Sequence, residues 1–410
     1  MRGVESSFNR HGDSDMLDYL PATCNRHHSL ELKAFALKPL HILHSESATG
    51  WGGQEIRVFQ ESRLLVERGF RVSIVCQPAS ALAERCRAVV DPNFRFYPLP
   101  MNSPLSLPAI RALCALMKEI KPDILHTHSS IDSWLVSLCG RWMGIPIVRS
   151  RHVSIPVKNY FPKNWIYTSF PARIITSGES ISAEMTRLDG MTPDKVVSIS
   201  AGVDMRRFDF NISGAAIRTE LKVSPGRPLI GKVGVVRGWK GHDYFIEAIP
   251  LVLQKLPDAR FVIVGSGPGF AQISQKVQDR GLENAVTLLG HREDIPQIMA
   301  ALDVLVLAST AGEGTPQVIP QAFAMKTPVV ATRVASIPAL LNHGERGVLV
   351  ESKNPQSLAD GILEVLQNTA QSEQLVDKAY EFCKQELTIE KMMDQTIAVY
   401  NDVLNAVSKK

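Results

Sequence analysis

The chain has 410 residues, of which 45% are hydrophobic and 21% are charged, a composition typical of a globular protein with two or three domains. Its formal net charge of +4 is too small to indicate nucleic-acid binding. The six cysteines are scattered without a CxxC pair, which predicts reduced thiols in a cytoplasmic protein rather than disulfides or a metal site. No apolar stretch reaches the length of a transmembrane helix.

The first 36 residues are polar, and we predict a disordered segment or an extension there. They lack the apolar core of a signal peptide. Residues 13–15 have an Asp-x-Asp pattern that some metal sites share. No predicted strand precedes this pattern, so we assign no metal to it.

From residue 37 onward, short apolar runs alternate with amphipathic segments, which favours βα units and parallel sheets. The predicted strands of the first half are residues 40–43, 71–76, 124–126, 145–148, 174–175 and 196–199. Those of the second half are residues 229–236, 261–264, 286–289, 304–307, 329–330 and 348–350. We therefore predict an α/β protein with two Rossmann-like βαβ domains that face a central cleft, with ligands at the carboxyl ends of the strands.

The predicted domain boundaries follow the same pattern. The first domain covers residues 37–205 and the second covers residues 229–387. The stretch 206–228 is polar and rich in turn residues, so it is the predicted linker. The terminal segment, residues 388–410, is predicted to be mostly helical.

Two glycines, Gly52 and Gly53, open the first predicted helix. Because they lack side chains, they would let the backbone approach a diphosphate closely. A flexible turn explains them equally well. The pattern GxGxxG is absent, so a nicotinamide site is not predicted.

Three histidines lie at the ends of two predicted strands in the first domain. His126 and His128 follow one strand, and His152 follows the next. Because these ends meet at one edge of the sheet, we predict a substrate contact for His152 and acceptor contacts for His126, His128 and Arg151. A structural hydrogen-bonding role is the alternative for His152.

Between Asp132 and Glu179 the chain has no acidic residue. Cations and aromatic residues accumulate there instead: Arg141, Arg149, Arg151, Lys158, Lys163 and Arg173, with Tyr160, Phe161, Trp165 and Tyr167. This mixture predicts an anionic acceptor or a peripheral contact with the inner leaflet of a membrane. The alternative is a solvated surface with the aromatic residues in the core.

Further candidate donor contacts follow strands of the second domain. Arg237 and Lys240 come after its first strand, where cations can neutralise a diphosphate leaving group. For Lys240 a solvated surface is the alternative. Gly265, His291 and Arg292 follow the next two strands, where a donor contact and ordinary turn chemistry both fit.

The most informative segment covers residues 309–350. A buried strand ends just before it, and Pro316 and Thr315 then suit the first position and the N-cap of a helix over residues 317–325. The free N–H groups of that helix would face a ligand with phosphates and hydroxyls, beside Glu313. The predicted donor contacts of this loop are Glu313, Gly314, Thr315, Pro316 and Gln317. Alternatively, Glu313 lies in an ordinary strand-to-helix turn and contacts no ligand.

This segment resembles the C-terminal half of retaining GT-B glycosyltransferases of family 4. Their signature has two glutamates with seven residues between them, and Gly-x-Pro follows the first. Here Glu313 occupies the first position and Gln321 the second. The resemblance implies that Glu313 contacts the transferred sugar or its phosphate. It also implies that Gln321 holds the ribose, with a neutral amide in place of a carboxylate.

Three further positions depart from the family pattern. Ala335-Ser336 and Ala339 stand where the family usually has a Gly-Gly pair and a glutamate, and Pro320 is expected to remove one hydrogen bond near the start of the helix. These departures indicate either a subfamily or a loss of activity.

The resemblance, which covers residues 40–400, implies a first domain on the acceptor side, a second that binds the donor, and a terminal helix that crosses back to the first domain. It implies a metal-independent enzyme without a cofactor that moves a sugar from a nucleotide-diphosphate sugar, with UDP as the predicted nucleotide, to a hydroxyl of a glycan or lipid-linked acceptor. The implied catalytic residues are His152, Arg237, Lys240 and Glu313. Retention of configuration and a role in lipopolysaccharide, capsule or other envelope polysaccharide synthesis are also implied. A catalytically reduced binding protein and a nucleotide-sugar epimerase are the alternatives.

Overall fold

The computed structural model describes residues 39–409 except residues 155, 156, 158 and 161. The predictions for residues 1–36, including the Asp-x-Asp pattern, lie outside the described residues, as do Lys158 and Phe161 of the basic segment. From Pro39 onward the chain forms one compact unit.

The first half of this unit is built on a parallel sheet of seven strands in the order β3-β2-β1-β4-β5-β6-β7. Its strands are β1 (His41–Glu46), β2 (Arg71–Cys76), β3 (Phe94–Pro98), β4 (Ile124–Thr127), β5 (Ile147–Arg151), β6 (Arg173–Thr176) and β7 (Val196–Ser198). Its helices are α1 (Gly53–Glu67), α2 (Ala81–Arg87), α3 (Leu107–Ile120), α4 (Ser130–Met143), α5 (Trp165–Thr168) and α6 (Glu179–Thr186). Ile42 pairs with both Val72 and Ile124, which places β1 between β2 and β4.

The second half is built on a parallel sheet of six strands in the order β10-β9-β8-β11-β12-β13. Its strands are β8 (Leu229–Val233), β9 (Arg260–Val264), β10 (Val286–Gly290), β11 (Val304–Leu307), β12 (Val329–Thr332) and β13 (Val348–Val350). The remaining helices are α7 (Ala215–Glu220), α8 (His242–Leu253), α9 (Phe270–Asp279), α10 (Ile295–Ala301), α11 (Val318–Ala324), α12 (Ile337–Leu340), α13 (Pro355–Gln367), α14 (Thr369–Glu386) and α15 (Ile389–Ser408). Short 3₁₀ helices cover Pro193–Lys195, Gly238–Lys240 and Asn342–Gly344.

Two parallel sheets with alternating helices confirm the predicted α/β fold class. Because helices cover both faces of such sheets, their central strands are buried on both sides and appear in the sequence as apolar runs. β3 was missed, since it is an edge strand whose residues are mostly half-buried or exposed. β1 and β5 each extend three residues beyond the predicted apolar run, into polar residues that are mostly buried.

The stretch 206–228, predicted to be a linker, contains helix α7. Gly214, just before that helix, lies so close to α10 that a Cβ there would be 2.3 Å from the backbone nitrogen of Ala301. This stretch therefore packs against the second sheet's helices. The domain boundaries themselves remain a prediction.

The terminal helix α15 packs against the first sheet. Its Met393, Tyr400 and Val403 share a buried cluster with Ile42 and Val58 of β1 and α1. Thr388 caps the helix by accepting a hydrogen bond from the Lys391 amide at 3.2 Å. None of the described helices is long and apolar enough to cross a membrane.

Candidate functional site

Glu313 and Lys240 meet at the carboxyl ends of two paired strands, β8 and β11. Oε1 of the buried Glu313 carboxylate accepts a hydrogen bond from Lys240 Nζ at 2.7 Å and another from Ser309 Oγ at 2.6 Å. Lys240 is the last residue of the 3₁₀ helix that follows β8. The structure thus brings together two residues that were predicted separately, as a charge-assisted pair.

Gly241 allows this close approach. Its φ of +66° is unfavourable for other residues, and a Cβ there would lie 1.7 Å from the Ala308 carbonyl oxygen. The loop that carries Lys240 therefore rests directly on the end of β11.

Lys232, in the middle of β8, is a residue that the sequence reasoning missed. It is 2% exposed, and burial lowers its pKa from 10.5 to about 7, with a further contribution from Lys240 that Glu313 opposes. A charged residue inside the apolar run Leu229–Val233 was the available signal.

The loop after Glu313 contacts the first domain. Thr315 Oγ1 donates a hydrogen bond to the Ser177 carbonyl, and Gln317 Nε2 donates one to the Gly53 carbonyl at 3.3 Å. A Cβ on Gly314 would lie 2.1 Å from Ser177 Oγ, so only glycine fits there without a shift. Loops of both domains therefore meet beside Glu313.

The predicted helix start was wrong in detail. Helix α11 begins at Val318 with Gln317 as its N-cap residue, because Thr315 bonds to Ser177 instead of capping the helix. Pro320 lies in the first turn, where a backbone N–H has no intrahelical partner, so the expected loss of a hydrogen bond does not occur. Pro316 is buried in the turn that precedes the helix.

Gly52 and Gly53 lie where α1 begins, as predicted, and Gly52 N–H donates to Glu55 Oε2 at 2.8 Å. A Cβ on Gly53 would meet nothing within 4 Å, so the space beside it is open. Arg237 is exposed, with its guanidinium 5.4 Å from the centre of the Trp239 ring. The roles of both glycines and of Arg237 toward a phosphate remain predictions.

Three buried histidines and the half-buried His152 form a network at the ends of β1, β4 and β5. His128 Nδ1 lies 3.2 Å from His152 Nε2, and His128 Nε2 lies 3.0 Å from His44 Nδ1. His126 lies beside them and uses both ring nitrogens, toward Tyr400 Oη at 2.7 Å and Ser150 Oγ at 2.8 Å. Burial holds the pKa of each of the four well below its usual value, so the rings are neutral.

Both ring nitrogens of His126 thus have partners within the chain, and its predicted acceptor contact remains a prediction. His44, His126, His128 and Glu61 offer ligand atoms within 4.8 Å of one another, a grouping that could hold a metal ion. However, Glu61 Oε1 already accepts from Arg57 Nε at 2.7 Å. Glu61 Oε2 and His44 Nε2 have no hydrogen-bond partner among the described residues, and the absence of a metal remains a prediction.

The candidate donor contacts Gly265, His291 and Arg292 make contacts within the chain. Arg292 pairs with Glu220 at 2.6 Å and Asp294 at 2.6 Å, and these partners raise its pKa. His291 Nε2 lies 3.1 Å from Glu293 Oε1. Gly265 has a φ of +132°, and a Cβ there would lie 2.0 Å from the Gly234 carbonyl oxygen. The roles of Gly265, His291 and Arg292 toward a donor remain predictions.

Two family models match the chain in sequence. One, described as Glycosyltransferase Family 4, matches residues 51–207, and one described as Glycosyl transferases group 1 matches residues 227–368. The chain belongs to the family 4-type GT-B glycosyltransferases. The match spans both sheets and the site at their strand ends.

Individual relatives extend over most of the chain. The N-acetyl-alpha-D-glucosaminyl L-malate synthase of Bacillus anthracis is 24% identical over 366 residues, which cover 86% of this chain and 94% of that protein. The UDP-Gal:alpha-D-GlcNAc-diphosphoundecaprenol alpha-1,3-galactosyltransferase of Escherichia coli is 26% identical over 348 residues, 80% of this chain and 88% of that protein. The structure of Anabaena HepE in complex with UDP-glucose matches with a TM-score of 0.78 and 21% identity, over 88% of this chain and 100% of that chain. The structural match confirms the GT-B fold.

The departures from the family 4 signature have different structural consequences. Ala335 has a φ of +49°, a left-handed conformation in which glycine would be less strained. Ser336 Oγ lies 2.5 Å from Ser180 Oγ and so contributes a contact to the first domain. Gln321 is half-buried in α11, and its side-chain amide makes no hydrogen bond with the rest of the described chain. Ala339 lies in α12.

Two acidic residues of this glycosyltransferase were also missed. Glu46 ends β1, where it accepts hydrogen bonds from Gln54 Nε2 at 2.6 Å and from the Ser129 hydroxyl. Burial, with the nearby Asp132 carboxyl, raises the pKa of Glu46 to about 8. Burial also raises the pKa of Asp132, to about 6. A buried acid that keeps its proton near neutral pH can donate as well as accept hydrogen bonds.

Proposed function

We propose that this protein transfers a sugar from a nucleotide-diphosphate sugar to a hydroxyl group of an acceptor. The observation that carries the proposal is the pair of Glu313 and Lys240 at the ends of β8 and β11, beside loops of the first domain. Membership of the glycosyltransferase family supports it. Strand ends of this kind are where ligands bind in parallel α/β sheets.

The proposed chemistry uses charge and position rather than a protein nucleophile. Lys240 and Arg237 would offset the charge of the departing diphosphate, and Glu313 and His152 would orient the sugar. Gln321 would hold the ribose. The leaving phosphate would accept the acceptor's proton, which gives retention of configuration without a metal or another cofactor.

UDP is the proposed nucleotide, and the proposed acceptor is a glycan or a lipid-linked saccharide of the cell envelope, such as lipopolysaccharide or capsule. The Anabaena structure contains UDP-glucose, and the name of the E. coli relative specifies a UDP sugar and a diphosphoundecaprenol acceptor. We place the protein in the cytoplasm, in peripheral contact with the inner membrane where the acceptor is lipid-linked. The basic segment with its aromatic residues supports that contact.

A second candidate is a catalytically reduced protein that binds a nucleotide sugar without transfer. The neutral Gln321, in the position of the second signature glutamate, favours this alternative. It predicts nucleotide binding without turnover, even when acceptor is present.

A donor panel tests the proposal. Purified protein would be mixed with UDP-, GDP-, ADP- and CDP-sugars, and thermal stabilisation and released nucleotide would be measured for the wild type, Glu313→Gln and Ser309→Ala. We expect stabilisation by one nucleotide class and slow release that falls by roughly 100-fold in Glu313→Gln, since one preorganised polar group contributes about that much. Ser309→Ala keeps the carboxylate and should lose far less. If no nucleotide stabilises the wild type at millimolar concentration, the proposal is wrong.

A further inference from the structure

A cavity of about 480 Å³ lies at the carboxyl ends of β4 and β5 in the first domain. This volume suits a small molecule of the size of a monosaccharide. The residues that line it are Gln54, His128, Ser129, Ser130, Trp134, Arg149, Arg151, Val153, Val157, Lys163, Ile166 and Tyr167. Three of them are cations and none is acidic, so the cavity has a positive potential.

Arg149 places a buried positive charge in the wall of this cavity. The side chain is 1% exposed, and it donates to two neutral oxygens, the Ser129 carbonyl at 2.9 Å and Tyr167 Oη at 3.1 Å. Within the described part of the chain, its Nε has no partner and no carboxylate lies within ion-pair distance of the guanidinium. A buried charge without an opposite charge is costly, and an anion bound beside it would offset that cost.

Asp132, an acid that interacts electrostatically with Arg149, directs its oxygens toward other donors. Asp132 accepts hydrogen bonds from Ser45 Oγ at 2.9 Å, Ser47 Oγ at 3.1 Å and the His128 amide at 3.1 Å. Burial raises its pKa to about 6, although Arg149 opposes the shift. Asp132 therefore neutralises the cavity only in part.

Tyr167 links the two arginines of the cavity. Its hydroxyl oxygen accepts from Arg149 and from Arg151 Nη1, each at 3.1 Å, and its ring lies 4.4 Å from the Arg149 guanidinium carbon. Because the oxygen already accepts two N–H groups, its own O–H remains to donate to another acceptor. Burial alone would raise the pKa of Tyr167, but the two guanidinium groups outweigh it and the pKa falls below its usual value.

The cavity adjoins the proposed donor site through two contacts. His128 lines the cavity and lies 3.2 Å from His152, whose carbonyl oxygen accepts from Ser177 Oγ at 3.1 Å beside Gly314. Gln54 also lines it and follows Gly53, the residue that accepts from Gln317. A molecule in the cavity would thus lie next to the loop that carries Glu313.

From this geometry we propose that the cavity binds an anionic group of the sugar acceptor, a phosphate or a carboxylate, with Arg149, Lys163 and the Tyr167 hydroxyl as its partners. This inference rests on the proposed function for the identity of the ligand as an acceptor. The anion site itself follows from the cavity's own charges. Its test therefore uses binding rather than transfer.

The first experiment measures the binding of inorganic phosphate to the full chain by calorimetry, with chloride at matched ionic strength. The variants are Arg149→Gln in the wall, Lys163→Gln at the exposed rim, and Arg141→Gln as a control, since Arg141 is an exposed cation of the same segment that does not line the cavity. We expect millimolar binding to the wild type, no measurable binding to Arg149→Gln, a loss of about tenfold in Lys163→Gln, and no change in Arg141→Gln. Because Lys163 is exposed, its variant keeps the test valid if Arg149→Gln does not fold.

The same titrations with UDP separate this site from the donor site. Lys163→Gln should bind UDP as the wild type does, and Lys240→Gln should lose UDP while it keeps phosphate. Equal phosphate binding by wild type and Lys163→Gln would overturn the inference, and so would competition between UDP and phosphate, which would assign the cavity to the donor. Phosphate binding without binding of any nucleotide would leave the anion site intact and refute the proposed function instead.

A vesicle experiment distinguishes a soluble acceptor from a lipid headgroup. Co-sedimentation with phosphatidylglycerol vesicles, compared with phosphatidylcholine vesicles, would be measured for the wild type and Lys163→Gln. If the wild type binds the anionic vesicles and Lys163→Gln binds them more weakly, the site is assigned to a lipid headgroup. Phosphate binding that falls in Lys163→Gln without any vesicle binding assigns it to a soluble acceptor.

Discussion

Buried polar side chains are concentrated where β1 and β4 end, and the protonation of Glu46 among them depends on folding. Its pKa rises from 4.5 to about 8 on folding, because of burial and the nearby Asp132. Between these two pH values the folded protein keeps the proton and the unfolded chain has lost it. Unfolding then releases a proton, so the contribution of Glu46 to stability is lost as the pH rises through this range.

We predict that Glu46→Gln removes this pH dependence. In the wild type, the Glu46 contribution lowers the free energy of unfolding by up to about 1.4 kcal/mol per pH unit between pH 4.5 and about 8. Denaturant unfolding at a series of pH values measures the slope. Glu84→Gln, which changes an exposed glutamate of α2, is the control and should keep the wild-type slope. Equal slopes in wild type and Glu46→Gln would show that Glu46 does not hold its proton.

Some of the site could be predicted residue by residue, and some could not. Glu313 and Lys240 each follow an apolar run that ends in a short motif, so their place at strand ends was visible in the sequence. The contact of Tyr167 with Arg149 depends on how the short helix α5 packs against β5, and the hydrophobic periodicity of the sequence does not predict that packing. The strand-end position of His126 was likewise visible, but its hydrogen-bond partner Tyr400 was not, because it is 274 residues away.

At the scale of elements, the loop between β8 and α8 depends on a glycine at its last position. Gly241 has a left-handed backbone and no room for a Cβ beside the Ala308 carbonyl. Gly238, three residues earlier in the same loop, has nothing within 4 Å of the place that a Cβ would take.

We predict that Gly241→Ala lowers the free energy of unfolding by about 1–3 kcal/mol, the usual cost of a strained backbone conformation. We also expect it to displace Lys240 from Glu313. Gly238→Ala is the matched control and should change the free energy of unfolding by less than about 0.5 kcal/mol. Chemical denaturation of both variants measures the difference. Equal stability of the two variants would contradict the tight contact between this loop and β11.

The strand bounds were predicted best where a strand coincides with a bounded apolar run. The predicted bounds of β2, β11 and β13 agree with the structure, because these strands are bounded apolar runs. β1 and β5 continue into His44–Glu46 and Arg149–Arg151, polar segments that an apolar criterion excludes. These polar ends lie at the carboxyl edge of the first sheet, where ligands are proposed to bind, so an apolar pattern is least informative there.

At the scale of the whole molecule, helix α15 packs against the first sheet with its apolar face and with a buried hydrogen bond. Tyr400 Oη lies 2.7 Å from His126 Nδ1, and neither side chain is exposed. Loss of this hydroxyl would leave a buried ring nitrogen without a partner.

We predict that Tyr400→Phe lowers the free energy of unfolding by about 1–3 kcal/mol, the usual cost of one unsatisfied buried polar group. Tyr380→Phe serves as the control, since the Tyr380 hydroxyl makes no hydrogen bond with any described residue. Thermal and urea unfolding of both variants provide the comparison. A Tyr400→Phe protein as stable as Tyr380→Phe would mean that the helix does not depend on this contact.

The central claim is that Lys240 and Glu313 mark the donor site of a nucleotide-sugar transferase. Calorimetric titration of the wild type and Lys240→Gln with UDP, GDP, ADP and CDP tests it most directly. The control is Lys326→Gln, which changes a lysine that lies between α11 and β12 and pairs with Asp377. The account predicts that one nucleotide binds the wild type and Lys326→Gln equally, and that Lys240→Gln binds it at least about tenfold more weakly, since one charge-assisted contact to phosphate is lost. Unchanged affinity in Lys240→Gln would contradict the account.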